Sequence, residues 1–154
     1  MFEIRPVAEG DRGWVAETIR ERWGSDEQAA HGVVYRPAEL PGFVALDGDR
    51  RVGLLTFVRD GGEIEIVTID AFEPRRGIGT ALIDAVRALG AERVWLITTN
   101  DNVSAQRFYE ALGFRLVAVH ADAVARSRES KPEIPLVGDG GVPIADELEF
   151  ELRP

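Results

Sequence analysis

The sequence predicts a mixed α/β domain, in which a mostly antiparallel sheet is interrupted by one right-handed β–α–β crossover. Three stretches predict it. Residues 43–46 and 52–58 alternate about the turn Asp47-Gly48-Asp49, the pattern of a β-hairpin. Residues 63–70 alternate as a strand and lead into PRRGIGTALIDAVRAL at 74–89, where Ile78, Leu82, Ala85, Val86 and Leu89 fall on one helical face. The apolar run 94–98 then reads as a strand buried on both sides, which closes the crossover. A chain of 154 residues with 45% hydrophobic content is long enough for one domain with a real core, and 1–154 is read as a single domain.

In chain order, residues 2–6 form a short strand, with Phe2 and Ile4 alternating against Glu3 and Arg5. Asp11 offers an N-cap for a helix running to Trp23, with Val15, Ile19 and Trp23 on one side, Trp14 and Thr18 at its edge, and Gly24-Ser25 as its stop. Residues 26–40 hold His31, Gly32, Tyr35 and Pro37 without sustained periodicity, and read as a ligand-facing loop with an extended piece at 33–35. Gly61-Gly62 then turns the chain into residues 63–70, where Glu63, Glu65, Val67 and Ile69 share one face and Ile64, Ile66 and Thr68 the other. Asp101 or Asn102 caps a further helix whose buried stripe is Ala105, Phe108 and Leu112 and whose stop is Gly113. Residues 114–119 are a strand, 122–129 a short helix and 131–143 a structured loop rich in proline and glycine. Residues 146–152 finish the chain as a strand, with Leu148, Phe150 and Leu152 inward and Glu147, Glu149 and Glu151 outward.

Composition narrows the chemistry. Eighteen basic against 27 acidic residues, net −9, argue against a general nucleic-acid binder and suit cationic or amine-bearing partners. The absence of cysteine excludes disulfides, thiolate metal sites and a cysteine nucleophile. His31 and His120 lie 89 positions apart with no metal-binding spacing, and there is neither a Gly-x-Ser-x-Gly turn nor a Walker pattern. No charged and apolar leader opens the chain, and no run approaches the roughly 18 apolar residues of a membrane helix, so a cytoplasmic protein is expected.

The helix that starts at Gly77 and Gly79 carries unpaired N–H groups and positive potential at its first turn. With Arg75 and Arg76 beside it, this start suits a phosphate or pyrophosphate, since glycine lets an anion approach the main chain closely. The same glycines would equally serve a plain turn that caps the helix. A dinucleotide-binding loop does not fit, because Gly77-Ile78-Gly79 is followed by Thr80-Ala81-Leu82 and the third glycine is missing.

The strand and helix order, together with RRGIGTAL and the later NVSAQRFYEALGF, resembles the GNAT superfamily of acetyl-CoA-dependent N-acetyltransferases over nearly the whole chain. The family's second motif is matched by Asn102, Ala105, Phe108, Tyr109, Gly113 and Phe114, while LITTNDN and KPEIPLVGDGGVPI resemble an uncharacterised bacterial branch. The resemblance implies a sheet of about seven strands with helices on both faces, splayed between its two parallel central strands. It also implies acetyl-CoA as cofactor, held at the pyrophosphate by amides of Arg76, Gly77, Ile78, Gly79 and Thr80, with Arg75 and Arg76 supplying charge. Pro74 departs from the pattern, which usually has glutamine or arginine there, and proline donates no N–H.

Acetyl transfer needs a neutral amine, a polarised carbonyl and a proton for the leaving thiolate. Tyr109 sits at the family's general-acid position, and a phenol also packs well beside Phe108. Glu65 is the first candidate for the base, with Glu63, His120 or a water chain as alternatives. The resemblance places carbonyl polarisation at a backbone N–H between Ile69 and Ala71, and sets Asn102 either near the pantetheine arm or at a helix cap. Trp23, His31 and Tyr35 are candidates for the acceptor pocket. The expected activity is acetylation of a primary amine on a small molecule or peptide by direct attack in a ternary complex, with a non-catalytic acyl-CoA-binding or regulatory module as the alternative. The last strand is available to pair across a homodimer.

Overall fold

The computed structural model of the chain describes residues 2–74 and 76–154, and Arg75 therefore lies outside the described residues. The elements follow as β1 (Glu3–Pro6), α1 (Arg12–Trp23), β2 (Gln28–Ala30), β3 (Val33–Tyr35), β4 (Gly42–Asp47), β5 (Arg50–Asp60), β6 (Glu63–Ala71), α2 (Ile78–Arg87), β7 (Arg93–Thr99), α3 (Val103–Ala111), β8 (Arg115–His120), α4 (Val124–Ser130) and β9 (Glu147–Leu152). Seven strands share a mixed, mostly antiparallel sheet in the order β1-β4-β5-β6-β7-β9-β8, and β2 and β3 form a separate hairpin. The contacts fall into two units: residues up to Gln28 with Arg36–Val94, and Ala29–Tyr35 with Trp95–Arg153.

In the first unit the hairpin forms as expected, with Asp47 opposite Arg50 across a Gly48-Asp49 turn in which Gly48 takes φ +63°. β1 and β6 extend this hairpin antiparallel on either side. At the start of β6, the Gly62 carbonyl accepts from the N–H groups of Glu92 and Arg93, and Arg93 pairs with Glu63 at 3.0 Å. The beginnings of β6 and β7 therefore lie side by side, which is the parallel arrangement that a helical crossover requires.

Each face of this sheet has its own core. Val15 and Ile19 of α1 pack with Val44 and Leu54, flanked by Trp14 and Phe72. On the other face Ile78, Leu82, Ile83 and Val86 of α2 are buried, and Ile83 joins the expected stripe. A Cβ on Gly53 would lie 2.5 Å from Ile78 Cγ2, so the missing side chain there lets α2 sit close on β5.

Asp11 stands at the N-cap position of α1 as expected, but its side chain makes no capping hydrogen bond to the helix. Asp11 has helical φ/ψ and ends a 3₁₀ turn, Glu9–Asp11, that precedes the helix. Its buried carboxylate reaches back to the Ala8 N–H at 2.7 Å and takes Arg5 at 2.6 and 3.0 Å and Arg51 at 3.1 and 3.0 Å. These bonds hold the carboxyl far below the ordinary aspartate range and tie the helix start to β1 and β5. Trp23, expected on the buried side, is half exposed at the helix end, beside the left-handed Gly24.

In the second unit β8 and β9 pair antiparallel, and Leu148, Phe150 and Leu152 face inward as expected. Glu147 does not face outward: it is only 2% exposed, because its carboxylate accepts from the His31 N–H at 3.0 Å and the Ser127 hydroxyl at 3.2 Å. β7 alternates rather than being buried on both sides, with Val94 and Leu96 buried and Trp95 and Ile97 half-buried. The buried residue of α3 is Tyr109, with Ala105, Phe108 and Leu112 half-buried around it. The 131–143 stretch closes on itself through a bridge between Val137 and Pro143, and Arg128 ties it down through the carbonyls of Ile134, Pro135 and Ile144.

Candidate functional site

The glycine loop leaves β6 and opens α2. Gly77 is the N-cap in the left-handed region, φ +75°; having no side chain it makes no capping hydrogen bond, and among the described residues nothing lies within 4 Å of where a Cβ would stand. The first intrahelical bond runs from the Ala81 N–H to the Gly77 carbonyl, so helix geometry turns the N–H groups of Ile78, Gly79 and Thr80 out of the end. An uncapped first turn approached across an open glycine suits a pyrophosphate, which needs close main-chain donors and positive potential. The residues present thus fit the phosphates of coenzyme A.

Arg76 is held differently from the expectation. Its guanidinium pairs with Asp47 at 3.0 Å and with Glu73, and it lies 5.5 Å from the centre of the Phe2 ring. Glu73 in turn takes Arg50 at 2.6 Å. The network ties the loop to the β4–β5 turn, so the Arg76 charge is already matched by carboxylates and its main-chain amide is the part suited to an anion.

The face of β6 that carries acids also differs, for a reason of register. Thr68 lies opposite Thr56 and Ile66 opposite Phe57, leaving Val67 as an extra residue, a β-bulge. The bulge shifts the alternation by one residue. Glu63 and Glu65 therefore do not share a face with Val67 and Ile69; they lie with Thr68 and Asp70, opposite the β5 residues Asp60, Val58, Thr56 and Leu54. This is the α1 side of the sheet, since Leu54 packs with Val15 and Ile19. Glu65 and Asp70 are both buried, the Thr56 and Thr68 hydroxyls share a 2.7 Å hydrogen bond, and Asp70 meets Arg22 of α1 at 3.5 Å. Burial pushes the Asp70 carboxyl up and Arg22 opposes the shift. Ile69 and Ala71 lie opposite Leu55 and Gly53 in the last residues before the loop.

In the second unit, Asn102 caps α3 through its side-chain oxygen, which accepts from the Ala105 N–H at 3.2 Å. This is the cap expected of it. The Tyr109 ring packs among Phe108, Phe114 and Phe150, with ring centres 5.5, 5.8 and 6.1 Å away. Within the stretch expected as a loop, β3 is the extended piece expected at 33–35, and it pairs with β2 in a tight hairpin: His31 and Gly32 take φ 42° and 78° in the turn, values that suit a two-residue primed turn, and Tyr35 ends β3. The Tyr35 hydroxyl lies 3.1 Å from His31 Nε2, and the His31 ring centre is 5.4 Å from that of Trp95. His120 is exposed and pairs with Glu149 at 3.0 Å, so it is a surface partner of β9.

Sequence reasoning missed Asp70, Glu147 and Asn100. The Asn100 side chain accepts from the N–H groups of Ala145 and Asp146 and donates to the Pro143 carbonyl, holding the entry to β9. Among the described residues no group of three His, Asp or Glu side chains could hold a metal ion, and no helix is long and apolar enough to cross a membrane.

Comparison with known proteins converges on the same fold. Residues 10–114 match the model of the acetyltransferase (GNAT) family. The chain is 37% identical to the uncharacterised protein YxbD of Bacillus subtilis over 152 residues, covering 96% of each chain. It is also 37% identical to the uncharacterised protein YdhI of the same organism over 155 residues, covering 97% of each. Among solved structures, Arabidopsis thaliana NAA60 in complex with acetyl-CoA superposes with a TM-score of 0.70 over 100% of both chains at 17% identity, a likeness of fold. With a family match over residues 10–114, full-length relatives at 37% identity and a seven-stranded sheet carrying the glycine loop at its crossover, the chain belongs to the GNAT family of acetyltransferases.

Proposed function

We propose that the protein transfers the acetyl group of acetyl-CoA to a primary amine of a small molecule or peptide, with both bound together. The observation that carries this reading is the uncapped N-terminus of α2 behind the open, left-handed Gly77. When bound, acetyl-CoA supplies an acyl thioester open to attack by an amine. The amides of Arg76, Gly77, Ile78, Gly79 and Thr80 would hold the pyrophosphate, with Asn102 toward the pantetheine arm and Arg75 adding charge. A main-chain N–H between Ile69 and Ala71 is the polarising donor in this reading. Glu65 is the first carboxylate considered for the amine proton, and Tyr109, neutral at pH 7, the donor to the departing sulfur. Trp23, His31 and Tyr35 are the side chains assigned to the acceptor.

The absence of cysteine supports direct transfer, since no thiol is available to carry the acyl group. The test is to mix the purified protein with acetyl-CoA and a panel of small amines and peptides, following free thiol and product mass. Acetyl-CoA-dependent acetylation of at least one amine supports the reading. Measurable acetyl-CoA binding without transfer to any amine opposes it and favours a non-catalytic acyl-CoA-binding module.

A further inference from the structure

We propose that Asp70, in place of Glu65, is the carboxylate at which the acceptor arrives as a primary ammonium and gives up its proton, an assignment that rests on the amine-acetylation reading above. Three observations point to it. The bulge at Val67 puts Asp70 on the polar α1-facing side of β6 with Glu65 and Thr68. The residue is 8% exposed, and its Oδ2 makes no hydrogen bond. Its cationic neighbour, Arg22, stands 3.5 Å from Oδ1, beyond a normal hydrogen bond, while its guanidinium stacks 4.7 Å from the centre of the Phe72 ring.

A carboxylate buried to this degree is ordinarily matched by several donors, and one left half-satisfied is costly. The Thr56 and Thr68 hydroxyls are engaged with each other, and β5 presents Leu54 and Thr56 on this face, neither of them charged. Among the described residues, Arg22 of α1 is thus the charged group that meets Asp70, and Glu65 shares the same face further back along the strand. An ammonium N–H aimed at Oδ2 completes the site. Asp70 also directly follows Ile69, in the stretch assigned to carbonyl polarisation, so an amine held there would stand beside that donor. Burial raises the carboxyl above the ordinary aspartate range, which makes it a better proton acceptor than an exposed aspartate.

The transfer balances as follows. One N–H proton passes from the ammonium to Asp70 Oδ2, and the nitrogen lone pair forms the C–N bond. The thioester C–S bond breaks with its electron pair going to sulfur, which takes up a second amine proton by way of Tyr109. Asp70 returns its proton to solvent.

The test reads Asp70 without relying on turnover alone. The ¹³C-carboxyl resonance of Asp70, identified by its loss in Asp70→Asn, is followed in the CoA-saturated wild type as n-butylammonium is added, with butan-1-ol as the neutral counterpart. A saturable shift with the ammonium and none with the alcohol supports the proposal, and an unmoved Asp70 resonance overturns it. With an amine that the wild type acetylates, Asp70→Asn should keep CoA affinity and lose about 100-fold in kcat/KM at pH 7, the deficit narrowing as pH approaches the amine's own pKa of roughly 10. Turnover within about threefold of wild type, or a deficit that is the same at every pH, overturns the assignment. Should Asp70→Asn fail to fold, the wild-type resonance, assigned through Asp70→Glu, decides. Failure of every amine to be acetylated refutes the amine-acetylation reading, whereas an Asp70 that ignores n-butylammonium while amines turn over refutes only this proposal.

Discussion

Replacing Gly77 with alanine separates the strain of a left-handed residue from the obstruction of an anion site, because the protein supplies its own control. Gly77 and Gly48 both have positive φ, +75° and +63°, and at both positions a Cβ would meet nothing within 4 Å. An alanine at either position pays only the left-handed penalty of about 1–2 kcal/mol, partly offset by a less flexible unfolded chain, about 0.4–1 kcal/mol. Gly77→Ala and Gly48→Ala should therefore each lose about 1 kcal/mol, or about 2–4 °C in Tm for a chain of this size. They should differ in binding. The Cβ on Gly77 occupies the approach to the α2 amides, so acetyl-CoA affinity should fall at least tenfold, about 1.4 kcal/mol, while Gly48→Ala binds like the wild type. Thermal melts and calorimetric titration of both variants suffice. Equal affinities in the two variants, or wild-type affinity in Gly77→Ala, would refute the assignment of the loop.

Other variants test the framework and the chemistry. Asp11→Asn removes the negative charge that pairs Arg5 and Arg51 and one of the two oxygens that accept from Arg5, Arg51 and the Ala8 N–H, and should cost about 2–3 kcal/mol, since the arginines it strands are one-third exposed and partly rehydrate. Asp11 has a depressed folded-state pKa, so its stabilisation is full above the ordinary aspartate value and is lost as pH falls below it. Wild-type Tm should therefore drop more steeply than that of Asp11→Asn on acidification below about pH 4. Thr68→Val should lose about 1–2 kcal/mol in chemical denaturation by orphaning the Thr56 hydroxyl, and adding Thr56→Val should recover much of it. Tyr109→Phe keeps the aromatic packing and should lower kcat by about 100-fold with acetyl-CoA affinity unchanged; unaltered kcat would remove the phenol from the proposed chemistry.

Periodicity was readable in the sequence wherever an element obeyed one period throughout. The β4–β5 hairpin turns on Gly48, and Ile78, Leu82 and Val86 of the α2 stripe are buried as its 3.6-residue spacing requires, with Ala85 and Leu89 half-buried at its edge. The acids of β6 were assigned one face too simply, because a bulge leaves no mark in composition and Val67 reads like any other strand residue. β2 is three residues long, too short to show alternation, although His31-Gly32 between short apolar stretches was the signal of a primed turn. Glu147 looked like the outward member of an alternating strand; its burial depends on a backbone N–H 116 residues earlier, a partner that local pattern cannot supply. Asp70 carries no signal in the sequence, where it reads as an ordinary strand-end carboxylate, and its unmatched Oδ2 emerges only from the packing of α1.

The central claim, that the start of α2 cradles coenzyme A, is tested most directly by titrating the ¹⁵N-labelled wild type with CoA and following the backbone amides. Saturable shifts centred on Gly77, Ile78, Gly79 and Thr80 are expected, with ATP and NAD binding more weakly. Saturation by CoA with those amides unmoved, or a preference for ATP or NAD, would contradict it.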